Sequence, residues 1–180
     1  MSGPTAWAQT AAYLQEEKPD VVLSSEIRAQ AAELGNDPVR IYEFVRNEFE
    51  YQAYYGLMKG PESTLRVRAG NEYDLAALLV SLFRAANVPA RFVRGRIEMS
   101  DAQAAAWTGA LAGVNACTFW RRTEPTSWSG DGSCSELGTS PTGVTRSTTT
   151  KRVQRLHVWV EAEIALARYR GVGAIGAGKA

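Results

Sequence analysis

The sequence predicts an α+β domain in which helices gather on one side of an antiparallel sheet. Three observations predict it. Helix starts and stops separated by short links fill the amino-terminal half, with Ser24-Ser25, Asp37-Pro38 and Asn71 as starts and Gly35 and Asn87-Val88-Pro89 as stops. The stretch from Gly70 to Gly95, GNEYDLAALLVSLFRAANVPARFVRG, reads as a buried helix feeding directly into a strand. Late in the chain, residues 152–164 alternate with the period of a long strand.

Each element follows in order. Residues 5–17 have the Ala and Leu spacing of a helix ended near Pro19. Residues 26–34 predict a second helix, stopped by Gly35. Asp37 as cap and Pro38 at the first helical position open a third, running to about Phe49 with Ile41, Phe44, Val45 and Phe49 on one face. Residues 51–60 are aromatic-rich and read as an irregular connection, and a short helix fits residues 61–69. Asn71 caps the central helix, and Asp74 stands three positions on, like the second half of a capping box. Leu75, Leu78, Leu79, Leu82, Phe83 and Ala86 then form one broad apolar face. Pro89 disfavours helical geometry in Val88, so a strand over residues 90–97 follows. The alanine-rich residues 99–113 predict one more helix. Residues 115–150 are dense in turn formers and read as a long surface insertion. Val153, Leu156, Val158, Val160, Ala162 and Ile164 mark the last strand. The chain therefore divides into an amino-terminal helical segment, 1–36, and a core, 37–180, with the insertion at about 115–150.

Composition excludes some functions. With 45% hydrophobic and 22% charged residues and a net charge of +1, there is no bulk electrostatic case for nucleic-acid or membrane binding. No apolar run reaches transmembrane length, and the first residues lack the basic start and apolar core of a signal peptide. No cofactor is expected. Glu72, Asp74 and His157 form a possible ligand set, but their spacing does not require a metal, and none is expected.

The residues that carry chemistry are few. The amino end of the central helix is an anion site, because the first-turn amides and the helix dipole point there. His157, the only histidine, lies in LHVWVEAEI with Arg155, Trp159, Glu161 and Glu163 on its face of the strand. A lone strand histidine is more often structural than catalytic. Tyr54, Tyr55 and Trp159 are candidates to wall a cleft beside it, with Asn71 and Asp74 at the helix start. Arg91 and Arg94 alternate along a strand as exposed-face charges, and Trp107, Trp120 and Trp128 flank or occupy the insertion. Cys117 and Cys134 lie in one Gly/Ser/Thr-rich stretch; in an oxidising compartment they would close a short loop, and in a reducing one they would be free thiols.

The order of Gly70, Asp74, Ala76, Leu78-Leu79, Arg84-Ala85, Pro89-Ala90-Arg91 and then His157-Val158-Trp159-Val160-Glu161 resembles the transglutaminase-like superfamily, which shares the papain-like fold. The resemblance extends upstream through IYEFVRNEFEYQAYYGLMKG and covers about residues 37–163. It is nearest to the bacterial branch found in large secreted or surface proteins, which implies an extracellular or periplasmic location. It also implies a cysteine two residues before the Asp74 position, a histidine at His157, an acidic residue on the next strand, and acyl transfer or hydrolysis at amides. Here the cysteine position holds Glu72, and no Asp follows Asp131. A carboxylate keeps the negative charge opposite an imidazole but loses the nucleophile. The expectation is a transglutaminase-like module without acyl-transfer activity that binds a peptide or protein segment or serves structurally in a larger protein. The alternative is an active cysteine-type amidase, peptidase or transglutaminase with a rearranged site using Cys117 or Cys134.

Overall fold

The computed structural model describes residues 11–54, 56–109, 111, 116, 117, 119, 145–147 and 152–164. Its elements are α1 (Ser25–Glu33), α2 (Pro38–Glu48), β1 (Glu50–Tyr51), α3 (Gly60–Val67), β2 (Ala69–Gly70), α4 (Glu72–Ala85), β3 (Ala90–Ser100), α5 (Asp101–Thr108), β4 (Thr145–Ser147) and β5 (Arg152–Ala162). The fold is mixed α+β, as expected. β1 and β2 pair in parallel, and a second sheet has the order β3-β5-β4 with β4 and β5 antiparallel. The chain divides into two compact units. One comprises 1–51, 57–93 and 159–180, and the other 52–56 and 94–158, so β3 and β5 contribute to both.

The helix starts are made by the expected side chains. Ser24 accepts from the Ile27 amide, Asp37 from Val39 and Arg40, and Asn71 from Asp74. Each satisfies amides that the helix itself leaves open, an effect of about 1 kcal/mol per cap. α4 ends at Ala85, just ahead of Asn87-Val88-Pro89, where a left-handed Asn87 closes it and the Asn87 and Val88 amides donate to the Arg84 and Phe83 carbonyls.

In the first unit, α4 is buried on nearly every side rather than on one broad face, with Ala76, Ala77, Leu78, Val80, Leu82 and Phe83 all inside. It packs against α1, α2 and α3. Val21, Ile27, Ala31, Ile41, Val45 and Leu65 join its core, as do Ala90, Phe92, Val160 and Ala162 from β3 and β5. Each fully buried Leu or Ile contributes roughly 1.5–3 kcal/mol, and among the described helices α4 buries the most apolar residues.

Two polar residues inside the body of α4, Ser81 and Arg84, find partners in the amino-terminal segment. Ser81 Oγ accepts from the Val22 amide at 3.1 Å. Arg84, 4% exposed, donates to the carbonyls of Ala90 and Gln15 and to Glu17 Oε1 at 2.7 Å. This explains a departure from the sequence reading. Of the helix expected over residues 5–17, residues 5–10 lie outside the described residues, and 12–14 form only a 3-10 turn. Gln15 is extended, and Glu17 bridges to Val21. A buried guanidinium needs acceptors, and the demand outweighs weak local helix propensity.

Other boundaries differ. β3 runs to Ser100 instead of 97. There Ser100 and Gln103 form a reciprocal capping box that starts α5, and a left-handed Gly109 ends it, earlier than the expected 113. Arg91, expected on an exposed face, is partly buried and pairs with Glu161 at 2.8 Å, with its guanidinium over the Tyr13 ring. The hydrogen bond to Glu161 holds the Arg91 guanidinium above its usual pKa. Arg94 is exposed, as expected.

Candidate functional site

The amino end of α4 brings together three of the residues singled out from the sequence: Asn71, Glu72 and Asp74. Asn71 and Asp74 are fully buried, and Glu72 is 7% exposed. Asn71 Oδ1 accepts from the Asp74 amide at 2.9 Å. Asp74 does more than echo a capping box, because its carboxylate accepts from three consecutive amides of the preceding loop. Those are Met58 at 3.4 Å, Lys59 at 3.0 Å and Gly60 at 2.8 Å. Gly60 has φ +71°, a conformation that turns its amide toward the carboxylate at little cost only without a side chain. Lys59 Nζ donates to the Ala69 carbonyl at 2.8 Å, tying the same loop to β2. The connection between β1 and α3 is thus irregular but anchored by a charge-assisted network.

Glu72 occupies the first position of α4, where helix amides and dipole favour a carboxylate. Tyr51, at the end of β1, donates its hydroxyl to Glu72 Oε2 at 3.1 Å. The parallel pairing of Tyr51 with Gly70 sets that contact, since it puts β1 alongside the residues that lead into α4. Lys59-Gly60 reads from the sequence as a loop beside the cleft, whereas Tyr51 is not among the candidate site residues there. The only signal for Tyr51 was its place in an aromatic run, which does not reveal a contact across 21 residues.

His157 is described with the second unit. Its ring meets Trp107 of α5 edge to face, 5.2 Å between centroids at 83°. Arg155, two residues earlier on β5 and 1% exposed, places its guanidinium 5.6 Å from the same indole. Its Nε donates to the Leu156 carbonyl at 3.1 Å. Trp107 therefore orders two β5 side chains at once, where the sequence suggested only a flank of the insertion. The expected division of β5 into a polar His157 face and an apolar Leu156 face is also corrected. Val153 and Arg155 are buried on the His157 side, and Val153 packs with Met99, Ala104, Ala116 and Cys117. α5 covers that side, which no period-two pattern within β5 could reveal.

Of the cleft candidates, Tyr54 is half-buried in the second unit and Trp159 is half-buried in the first, while Tyr55 lies outside the described residues. Cys117 is fully buried and disulfide-bonded. The only other cysteine, Cys134, lies outside the described residues, as do Trp120, Trp128 and most of the 115–150 insertion. Among the described residues no three His, Cys, Asp or Glu side chains group closely enough to hold a metal ion. No described helix is long and apolar enough to cross a membrane.

Chemically, the amino end of α4 offers a buried carboxylate with an adjacent phenol, an arrangement that accepts N–H and O–H donors. It contains no thiol. A family model described as the transglutaminase-like superfamily matches residues 22–173, most of the chain, and the chain belongs to that superfamily. No curated protein and no solved structure was found to match it.

Proposed function

We propose that this transglutaminase-like domain does not transfer acyl groups and instead serves as a peptide- or protein-binding or structural module. The observation that carries the reading is Glu72. By resemblance it stands where the superfamily has its nucleophilic cysteine, and it is 7% exposed and bonded to the Tyr51 hydroxyl. A carboxylate that attacked an amide would form a tetrahedral adduct, from which the carboxylate departs far more readily than the amine. Acylation would therefore reverse instead of proceeding. The alternative, an enzyme using a cysteine of the insertion, has less support, because Cys117 is buried and its sulfur is in a disulfide.

The test is amine incorporation and peptide-amide hydrolysis by the native chain, Glu72→Cys and Cys117→Ala. The native chain is expected to be inactive with every amide offered, and a thiol probe is expected to label only Glu72→Cys. Turnover by the native protein that vanishes in Cys117→Ala would overturn the reading. Turnover lost in Glu72→Gln but kept in Cys117→Ala would overturn it differently, by assigning chemistry to the carboxylate.

A further inference from the structure

We propose that the pocket between α2 and the end of α3 is a carboxylate-binding site, with Arg68 as its principal donor. The pocket is an open hollow of about 410 Å³ lined by Leu34, Phe44, Arg40, Arg68, Glu43 and Glu48, among others. It lies wholly within the first unit and is separate from the amino end of α4.

Arg68 is built to hold still. It is the C-cap of α3, with a left-handed backbone at φ 54°, where glycine is the usual residue. Its amide donates to the Thr64 carbonyl at 3.0 Å, and its carbonyl accepts from the Glu50 amide at 2.9 Å, so both sides of the residue are tied down. Its guanidinium carbon sits 4.5 Å from the Phe44 ring centre and 5.2 Å from that of Phe49, and the two rings pack edge to face at 5.4 Å. Two aromatic rings thus flank an exposed guanidinium and restrict its motion. Among the described residues no carboxylate or carbonyl accepts a hydrogen bond from that guanidinium, and Arg40 is likewise in no ion pair. A side chain on a left-handed backbone, flanked by two rings and left with its donor fork open, is prepared for a planar oxyanion. Preorganisation reduces the entropy lost on binding.

The rest of the lining narrows the ligand. Glu43 and Glu48 offset the two arginines, so the pocket is formally neutral and disfavours phosphate or polyanions. A single carboxylate adds the least negative charge that still fills the planar fork of Arg68. Leu34 and Phe44 supply apolar surface for the body that carries it. That chemistry is shared by the terminal carboxylate of a peptide and by an acidic side chain.

The test follows the Nε–Hε signal of Arg68 by NMR in the full chain. The probes are N-acetyl-leucine for a terminal carboxylate, N-acetyl-glutamate α-amide for a side-chain carboxylate, N-acetyl-leucinamide without a carboxylate, and inorganic phosphate. A saturable shift is expected with at least one carboxylate probe and not with the amide, and the tighter of the two names the source. Arg68→Gly suits the left-handed backbone and is expected to stay folded while binding, followed in both Arg68 variants through the Nε–Hε signal of Arg40 in the same pocket, weakens at least about tenfold. Arg68→Lys keeps the charge but not the fork, and a comparable weakening is expected there. Unchanged binding in either variant, an equal response to N-acetyl-leucinamide, a response to phosphate alone, or no saturable shift would overturn the proposal.

Discussion

The first turn of α4 and the His157 segment of β5 are both polar, partly buried places, yet they are held by different forces. At α4, the carboxylates of Glu72 and Asp74 take donors from a phenol and three backbone amides. At β5, His157 and Arg155 are organised around the face and edge of one indole. Hydrogen bonds to a buried charge are strongly directional and costly to break, whereas ring contacts are softer and depend on shape. The first region is therefore expected to tolerate no loss of an acceptor, and the second to tolerate a ring of similar form.

The comparison is broken or sharpened by four substitutions, taken from the largest effect down. Asp74→Ala leaves three loop amides without their acceptor, and a loss of about 3–5 kcal/mol is expected. Thermal unfolding should show a midpoint lower by about 10 °C, and an unchanged midpoint would mean that the loop is anchored by other means. Trp107→Ala removes a ring contact that His157 and Arg155 share, for an expected loss of about 2–3 kcal/mol in denaturant unfolding, with Trp107→Phe recovering most of it. If Phe is no better than Ala, ring shape is not what orders that segment. Tyr51→Phe withdraws one donor from Glu72, worth about 1 kcal/mol, and in a double-mutant cycle with Glu72→Gln the two effects should not add. Additive effects would break the contact read from the 3.1 Å separation. Thr64 tests the rule from the other side, since its buried hydroxyl has no hydrogen-bond partner among the described residues. Thr64→Val is expected to be neutral or to raise stability by up to about 1 kcal/mol, and a clear loss would reveal a partner for the hydroxyl.

The local setting of the candidate residues was legible in the sequence. Asn71, Glu72 and Asp74 stand where a helix start places them, and His157 lies on the predicted strand. What was not legible depends on contacts between distant residues. Tyr51 meets Glu72 because β1 pairs with β2, and Trp107 meets His157 because α5 covers β5. Arg84 illustrates the same limit. Its place in the apolar pattern of α4 said nothing of Gln15 and Glu17, yet those contacts draw residues 15–17 out of the expected helix.

By itself, the sequence determined the positions of the helix starts, the burial of α4 and membership of a superfamily, because caps, prolines and apolar periodicity act within a few residues of where they occur. Only the tertiary structure decided which donors reach Asp74 and Glu72, which side of β5 is covered, and that Arg68 is flanked by two rings with its donors open. Those outcomes require chain segments far apart in sequence to meet. Their energies come from satisfying buried charge and from ring contact, and neither leaves a periodic trace in the sequence.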